Sequence, residues 1–279
     1  MAPPEDLEGL LATPPPRLVL RRDDEDPSVV VVALADPARR NAMGTEMTAS
    51  WRRVVAALSR DTTLRALVLT ATGSAFSSGG DLAWLRDGAG AGADVGRLRE
   101  RMARYYDDWL SLLDVPVPVV AAAPGPAVGA GAGLLLACDL RLLARSAYLA
   151  VPFTALGLHP GMGLTSRLPE LAGPTVAADL LLTGRRIGAE EAARHGLASE
   201  VHDDDGLLTA ALDRARTVAA RAPLATRLTT ATLRAPVRAR LRDALRREAL
   251  AQARTLATAD AAAGLEAAAG RRAPVFTGR

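Results

Sequence analysis

Lysine is absent from the 279 residues, and all 34 strongly basic side chains are arginine. That excludes lysine chemistry such as a Schiff base. Cysteine occurs once, at Cys138, which excludes an intrachain disulfide and a cysteine-built zinc site. Aromatic residues make up 3%, so the core must be built from Leu, Val and Ala. No apolar run reaches the roughly 18 uninterrupted residues of a membrane span. The net charge is only +3, and arginines are interleaved with acids rather than gathered in a tract. Neither a nucleic acid nor a membrane is therefore expected as a partner.

What is present is a pattern of alternating strands and helices. The opening MAPPEDLEGLLATPPPR is acidic and rich in proline, and residues 1–16 read as a flexible arm. It has no basic segment leading into an apolar stretch, so it does not read as a secretion signal, and a cytoplasmic protein is expected. RLVLRR and SVVVVALA, joined by DDEDP, read as a hairpin. GTEMTASWRRVVAALSRD carries apolar residues at helical spacing, and LRALVLTATG reads as a buried strand. Further strand and helix patterns alternate up to about residue 204, which predicts a mostly parallel sheet with crossovers. Residues 205–279 read as wholly helical.

Two glycine-rich loops sit at strand-to-helix junctions: Ser77-Ser78-Gly79-Gly80-Asp81 and Gly129-Ala130-Gly131-Ala132-Gly133. Glycine permits close backbone approach, and a helix N-terminus offers unpaired N–H groups. Two such groups converging on one point would form an oxyanion hole. The bland alternative is tight helix packing. Neither loop has the spacing and the distal acid of a dinucleotide fingerprint.

Six blocks in order resemble the crotonase (enoyl-CoA hydratase/isomerase) superfamily. They are DPARRNAM, GSAFSSGGDLAWL, PVPVVAAAPGPAVGAGAGLLLACDLRLLARSAYLAVP, LGLHPGMGLTSRLPELAG, LLLTGRRIGAEEAARHGLASEV and GLEAAAGRRAPVFTGR. The resemblance implies an α/β fold, a crotonase-like (ClpP/crotonase) spiral of ββα units over residues 17–204. It makes residues 205–279 a helical trimerisation region, and a homotrimer or a hexamer built as a dimer of trimers is expected. The substrate it implies is an acyl thioester of coenzyme A, with no further cofactor and no metal. By position the oxyanion N–H groups fall on Gly80 and Ala130. The coenzyme is expected along Ala38, Arg39, Arg40 and Ala42, and along Ser78, Gly80, Asp81 and Leu82. Trp84, Tyr106, Gly133, Phe153 and Gly161 are expected to wall the acyl pocket.

The chain departs from the family where protons move. The two hydratase glutamates fall on Gly133 and Phe153, and the single acid of some isomerases falls on Gly161. None of these can carry a proton. His159, in the LGLHPG turn, is the candidate base. Asp81 suits a helix cap better than catalysis. Of the consecutive Tyr105, Tyr106, Asp107 and Asp108, at most two can face one pocket. Asp139 reads as a structural anchor. The chemistry expected is therefore enolate stabilisation, as in isomerisation or decarboxylation. The alternatives are a catalytically silent acyl-CoA-binding homologue and a thioester hydrolase using His159.

Overall fold

The computed structural model describes residues 5–278. A hairpin of β1 (Leu18–Arg22) and β2 (Val29–Leu34) opens the main sheet. Strands β3 (Ala66–Ala71), β4 (Val119–Ala123), β6 (Leu140–Ala144) and β9 (Glu200–His202) complete it in the order β1-β2-β3-β4-β6-β9. Only the β1–β2 pair is antiparallel. All six residues of β2 are buried, as an apolar run in a strand with two neighbours requires. A second sheet holds β5 (Ala127–Val128), β7 (Tyr148–Ala150) and β8 (Arg186–Gly188). The chain passes from a main-sheet strand to a small-sheet strand and then into a helix, which is the spiral of ββα units expected.

The helices follow from their apolar spacing. Helix α2 (Thr45–Arg60) buries Met47, Trp51, Val54, Val55 and Leu58, which form one face. Helix α4 (Val95–Leu110) buries Leu98, Met102, Tyr105, Tyr106 and Trp109, and Asp94 caps it. Helix α5 (Ala130–Ala137) is AGAGLLLA and is buried on every side, as a helix apolar all round must be. Between these lies the short α3 (Leu82–Arg86). Helix α6 (Leu164–Thr183) is kinked at Gly173 and precedes α7 (Ala189–Arg194). The C-terminal region is helical, with α8 (Leu207–Ala219), the 34-residue α9 (Pro223–Leu256) and α10 (Ala259–Ala269). Among the described residues no helix is long and apolar enough to cross a membrane.

Two observations concern the ends. Residues 5–16 are not a free arm: α1 (Leu7–Ala12) is capped by Asp6 and buries Leu7 and Leu10 in the core. The prolines around it conceal a six-residue amphipathic turn too short to read as a helix. At the other end, α9 is clasped to the main sheet through Arg234. This buried guanidinium donates to both carboxylate oxygens of Asp139 and to the carbonyls of Leu113, Val115 and Val117. Asp139 also accepts from Val119 N at 2.7 Å, so it is the anchor expected.

Candidate active site

The two glycine loops meet backbone to backbone. Gly79 has φ +87°, and a Cβ there would lie 2.5 Å from Val128 O and 3.1 Å from Ala130 N, so only glycine fits. Ser77 Oγ locks the first loop by accepting from Gly79 N at 3.0 Å and donating to Asn41 O at 2.8 Å. Met43 N donates to Gly79 O at 2.8 Å, and Ser78 N to Arg40 O at 2.8 Å. The second loop turns at Gly129 (φ 54°, ψ −117°), whose N–H bonds Ala150 O at 2.8 Å. The loops leave two amides over. Neither Gly80 N nor Ala130 N finds an acceptor among the described residues. Ala130 is the first residue of α5, so its N–H has no intrahelical partner. Both residues line one narrow cleft, with about 70 Å³ of room for water-sized molecules. Two free N–H groups on one low-dielectric cleft can stabilise an oxyanion.

The rest of the cleft wall is largely apolar. Phe153 is buried, and its ring lies over the second loop, 3.7 Å from where a Gly129 Cβ would stand. Trp84, Tyr106 and Gly161 line the same cleft, as do Ser78 and Leu82. Gly133 does not. It lies behind Met162, whose Cβ would be 2.5 Å from a residue-133 Cβ and whose carbonyl oxygen would be 3.0 Å away. The space for a carboxylate at 133 is therefore filled by Met162. The space at Gly161 is filled too: a Cβ there would fall 2.3 Å from the Tyr106 hydroxyl.

Tyr106 thus puts a phenol where the isomerase acid is expected. Its hydroxyl donates to Gln252 Oε1, and Gln252 Nε2 donates to His159 O at 2.9 Å. One turn earlier on α9, Glu248 accepts from Gly163 N (2.7 Å), Thr165 N (2.9 Å) and Thr165 Oγ1 (2.6 Å), capping α6. Burial pushes the Tyr106 phenol far above its ordinary range, and the nearby Glu248 charge and Tyr105 add to this. Tyr106 is therefore a neutral hydroxyl whose hydrogen is held by Gln252. Burial also raises Glu248, against its three donors. The adjacent Tyr105 donates to Met43 O at 3.1 Å and is likewise held neutral by burial.

Several sequence candidates lie elsewhere. His159 is not on the cleft wall. Its Nδ1–H is bound to Pro160 O at 2.6 Å and its backbone N–H to Thr255 Oγ1 at 3.0 Å, so it belongs to the turn. Asp81 caps α3 through Trp84 N at 2.8 Å and is ion-paired with Arg39, so Arg39 is engaged rather than free for a phosphate. Arg40 is exposed and has no ion-pair partner among the described residues. Ala38 and Ala42 flank it on the same loop. Arg40 and Asn41 both have positive φ (51° and 53°). Asn41 is buried and holds this strained turn by donating to Thr72 O and Ala75 O and accepting from Asp36 N. Asp107 and Asp108 are off the cleft wall. Burial pushes the Cys138 thiol up to about 12, which removes it as a nucleophile. Met162 and Gln252 were not singled out from the sequence. The one available signal was Glu248 and Gln252 placed four apart on α9, two polar residues on a buried stripe.

The enoyl-CoA hydratase/isomerase family model matches residues 24–279. The chain belongs to the enoyl-CoA hydratase/isomerase family. A Mycobacterium tuberculosis protein named "Probable enoyl-CoA hydratase echA14" is 38% identical over 190 residues, which are 68% of this chain and 72% of that protein. A Mycobacterium bovis relative, "Probable enoyl-CoA hydratase echA8", is 32% identical over 92% of this chain and 97% of its own length. The crystal structure of an enoyl-CoA hydratase/isomerase from Pseudoalteromonas atlantica T6c matches with a TM-score of 0.79 at 30% identity. That match covers 94% of this chain and 100% of the other. The fold is thus the crotonase fold of this family.

Proposed function

We propose that this family member binds an acyl thioester of coenzyme A with the thioester carbonyl between Gly80 N and Ala130 N, and that it stabilises the enolate there. The supporting observation is the pair of unpaired amides on one cleft. The cleft suits decarboxylation of a thioester with a carboxylate on the carbon next to the carbonyl. The bond to CO2 breaks, its electron pair passes into the enolate, and CO2 leaves. That step needs no base, and the wall offers none. The carbon then takes a proton, which the Tyr106 hydroxyl delivers by turning away from Gln252, with solvent replacing its proton afterwards. Hydration through two glutamates has no agent in this cleft. Isomerisation requires a base and is the weaker enolate reading. Arg40, exposed on the strained loop and free of an ion pair among the described residues, is the contact proposed for a phosphate of the coenzyme. Leu224, Leu228 and Leu233 stand 70%, 59% and 68% exposed on α9, which supports the trimer expected of the family.

The test is turnover and binding with malonyl-CoA, crotonyl-CoA and a 3-enoyl-CoA. CO2 release from malonyl-CoA without hydration of crotonyl-CoA is expected. Tight binding of all three without turnover would move the protein to the acyl-CoA-binding reading, which the filled acid positions favour. Rapid hydration of crotonyl-CoA would refute the reading.

A further inference from the structure

Among the described residues, the only buried side-chain nitrogen or oxygen atoms without a hydrogen-bond partner are Nε and Nη2 of Arg101. A buried donor left unpaired is costly, and native folds hold few of them. The third nitrogen, Nη1, donates to Asp87 O. The guanidinium carbon lies 4.8 Å from the Trp84 ring centre, and Trp84 in turn stacks on Tyr105 at 4.6 Å. Trp84 and Tyr105 therefore wall two spaces. One is the cleft containing Gly80 and Ala130. The other is a separate hollow of about 230 Å³ that Arg52, Arg101 and Arg104 line together with the hydroxyls of Thr45 and Thr48.

The charge in that hollow is unbalanced. Asp108 is its only acid, 3.5 Å from Arg52. Arg104 has no ion-pair partner among the described residues. From the far side Asp87 acts on Arg101 as an attractive charge and Arg97 as a repelling one. A fork of unpaired N–H groups beside two more guanidiniums and the Thr45 hydroxyl matches a carboxylate or phosphate, whereas the Thr48 hydroxyl already donates to Gly44 O. The partition between hollow and cleft is the Trp84 indole and the Tyr105 ring, and the indole stands on the five-residue α3, followed by glycines of positive φ at 88, 90 and 92.

We propose that the hollow behind Trp84 is an anion subsite in which Arg101 receives a carboxylate at the far end of the acyl group, separate from the one beside the thioester carbonyl that leaves as CO2. This rests on the acyl-thioester reading of the adjoining cleft and names its substrate class. Thioester and carboxylate lie on opposite sides of the Trp84 and Tyr105 wall, and displacing the indole joins the two spaces. The alternative source of the same chemistry is a phosphate of the coenzyme.

Titration of the full chain with butyryl-CoA and glutaryl-CoA, two ligands that differ by one terminal carboxylate, separates these cases. Wild type is expected to bind glutaryl-CoA at least tenfold more tightly. Arg101→Met keeps the stem against Trp84 and should bind both alike, at the wild-type level for butyryl-CoA. Arg101→Lys keeps the charge without the fork and should recover part of the preference. The same tenfold preference is expected with the 3′-dephospho thioesters. The proposal is overturned by equal binding of both ligands to wild type. Equal weakening of both by Arg101→Met, or a preference that vanishes with the dephospho forms, also overturns it. Binding of neither ligand by wild type overturns the acyl-thioester reading itself, and this proposal with it.

Discussion

Replacing Gly133 by alanine tests whether the lost hydratase acid is merely absent or sterically excluded. In a helix interior the change alone stabilises by up to about 1 kcal/mol, because glycine is the poorer helix former. At this position the new Cβ would stand 2.5 Å from Met162 Cβ and 3.0 Å from Met162 O. Both atoms are set by the backbone, which is itself constrained: Met162 has φ 60° and is buried. Neither can move aside like the end of a flexible chain. Overpacking of this kind costs about 1–3 kcal/mol. The packing cost wins, and Gly133→Ala should be destabilised by about 1 kcal/mol. Thermal unfolding followed by circular dichroism should show a Tm lower by about 2–4 °C for each kcal/mol in a domain of this class. Gly133→Glu adds a carboxylate among apolar side chains and should fall further, without gaining hydration of crotonyl-CoA. An alanine variant as stable as wild type, or a folded glutamate variant that hydrates crotonyl-CoA, would refute the steric argument.

Tyr106→Phe keeps the ring and removes the hydroxyl. If that group delivers the proton, kcat for decarboxylation should fall about 100–10,000-fold with KM nearly unchanged, the range of a lost general acid; an unchanged kcat would remove Tyr106 from the chemistry. Gly161→Ala should displace the Tyr106 hydroxyl from Gln252, since its Cβ would be 2.3 Å away, and a variant with wild-type turnover and stability would refute that contact. Arg234→Ala leaves the carbonyls of Val115 and Val117 without this donor and Asp139 without its cation, while Leu113 O keeps Arg238 and Asp139 keeps Val119 N. It should cost about 3–5 kcal/mol in urea unfolding, as breaking a buried pair does. Glu248 has a folded pKa raised by burial, so the native state holds its proton more tightly than the unfolded chain. Stability from this group should therefore decline as pH rises from about 4.3, the unfolded value, through the folded one. Urea midpoints against pH, compared with Glu248→Gln, should show the wild-type advantage shrinking over that window.

The main sheet and the long helices were legible because their signals are local. The run SVVVVALA could only be an interior strand, and the spacing of Met47, Trp51 and Val54 could only be a helix face. The paired glycine loops were legible for the same reason, and the structure brings Gly80 and Ala130 to one cleft. Trp84, Tyr106, Phe153 and Gly161 were named from the sequence, but the contacts that back that wall were not legible. Tyr106 meets Gln252 across 146 residues of sequence, and no local pattern records that contact. Met162 fills the space of a missing glutamate through a left-handed backbone that a methionine rarely adopts, so spacing rules gave no warning. His159 was a reasonable base from its turn, but its Nδ1–H donates to the Pro160 carbonyl and it lies off the cleft wall. The N-terminal helix was hidden by its flanking prolines.

The clasp at Arg234 also sets an order in time. Its guanidinium reaches carbonyls 117 to 121 residues away, and Gln252 closes the cleft from further along the same helix. Contacts of such long sequence separation form slowly, after local structure is in place. During synthesis the ribosome has made nine-tenths of the chain before residue 252 appears. Until then the two glycine loops can fold against each other while the cleft stays open on the Tyr106 side. A nascent or C-terminally clipped chain would therefore carry the two unpaired amides without the wall that encloses them, and the cleft is among the last parts of the molecule to be completed.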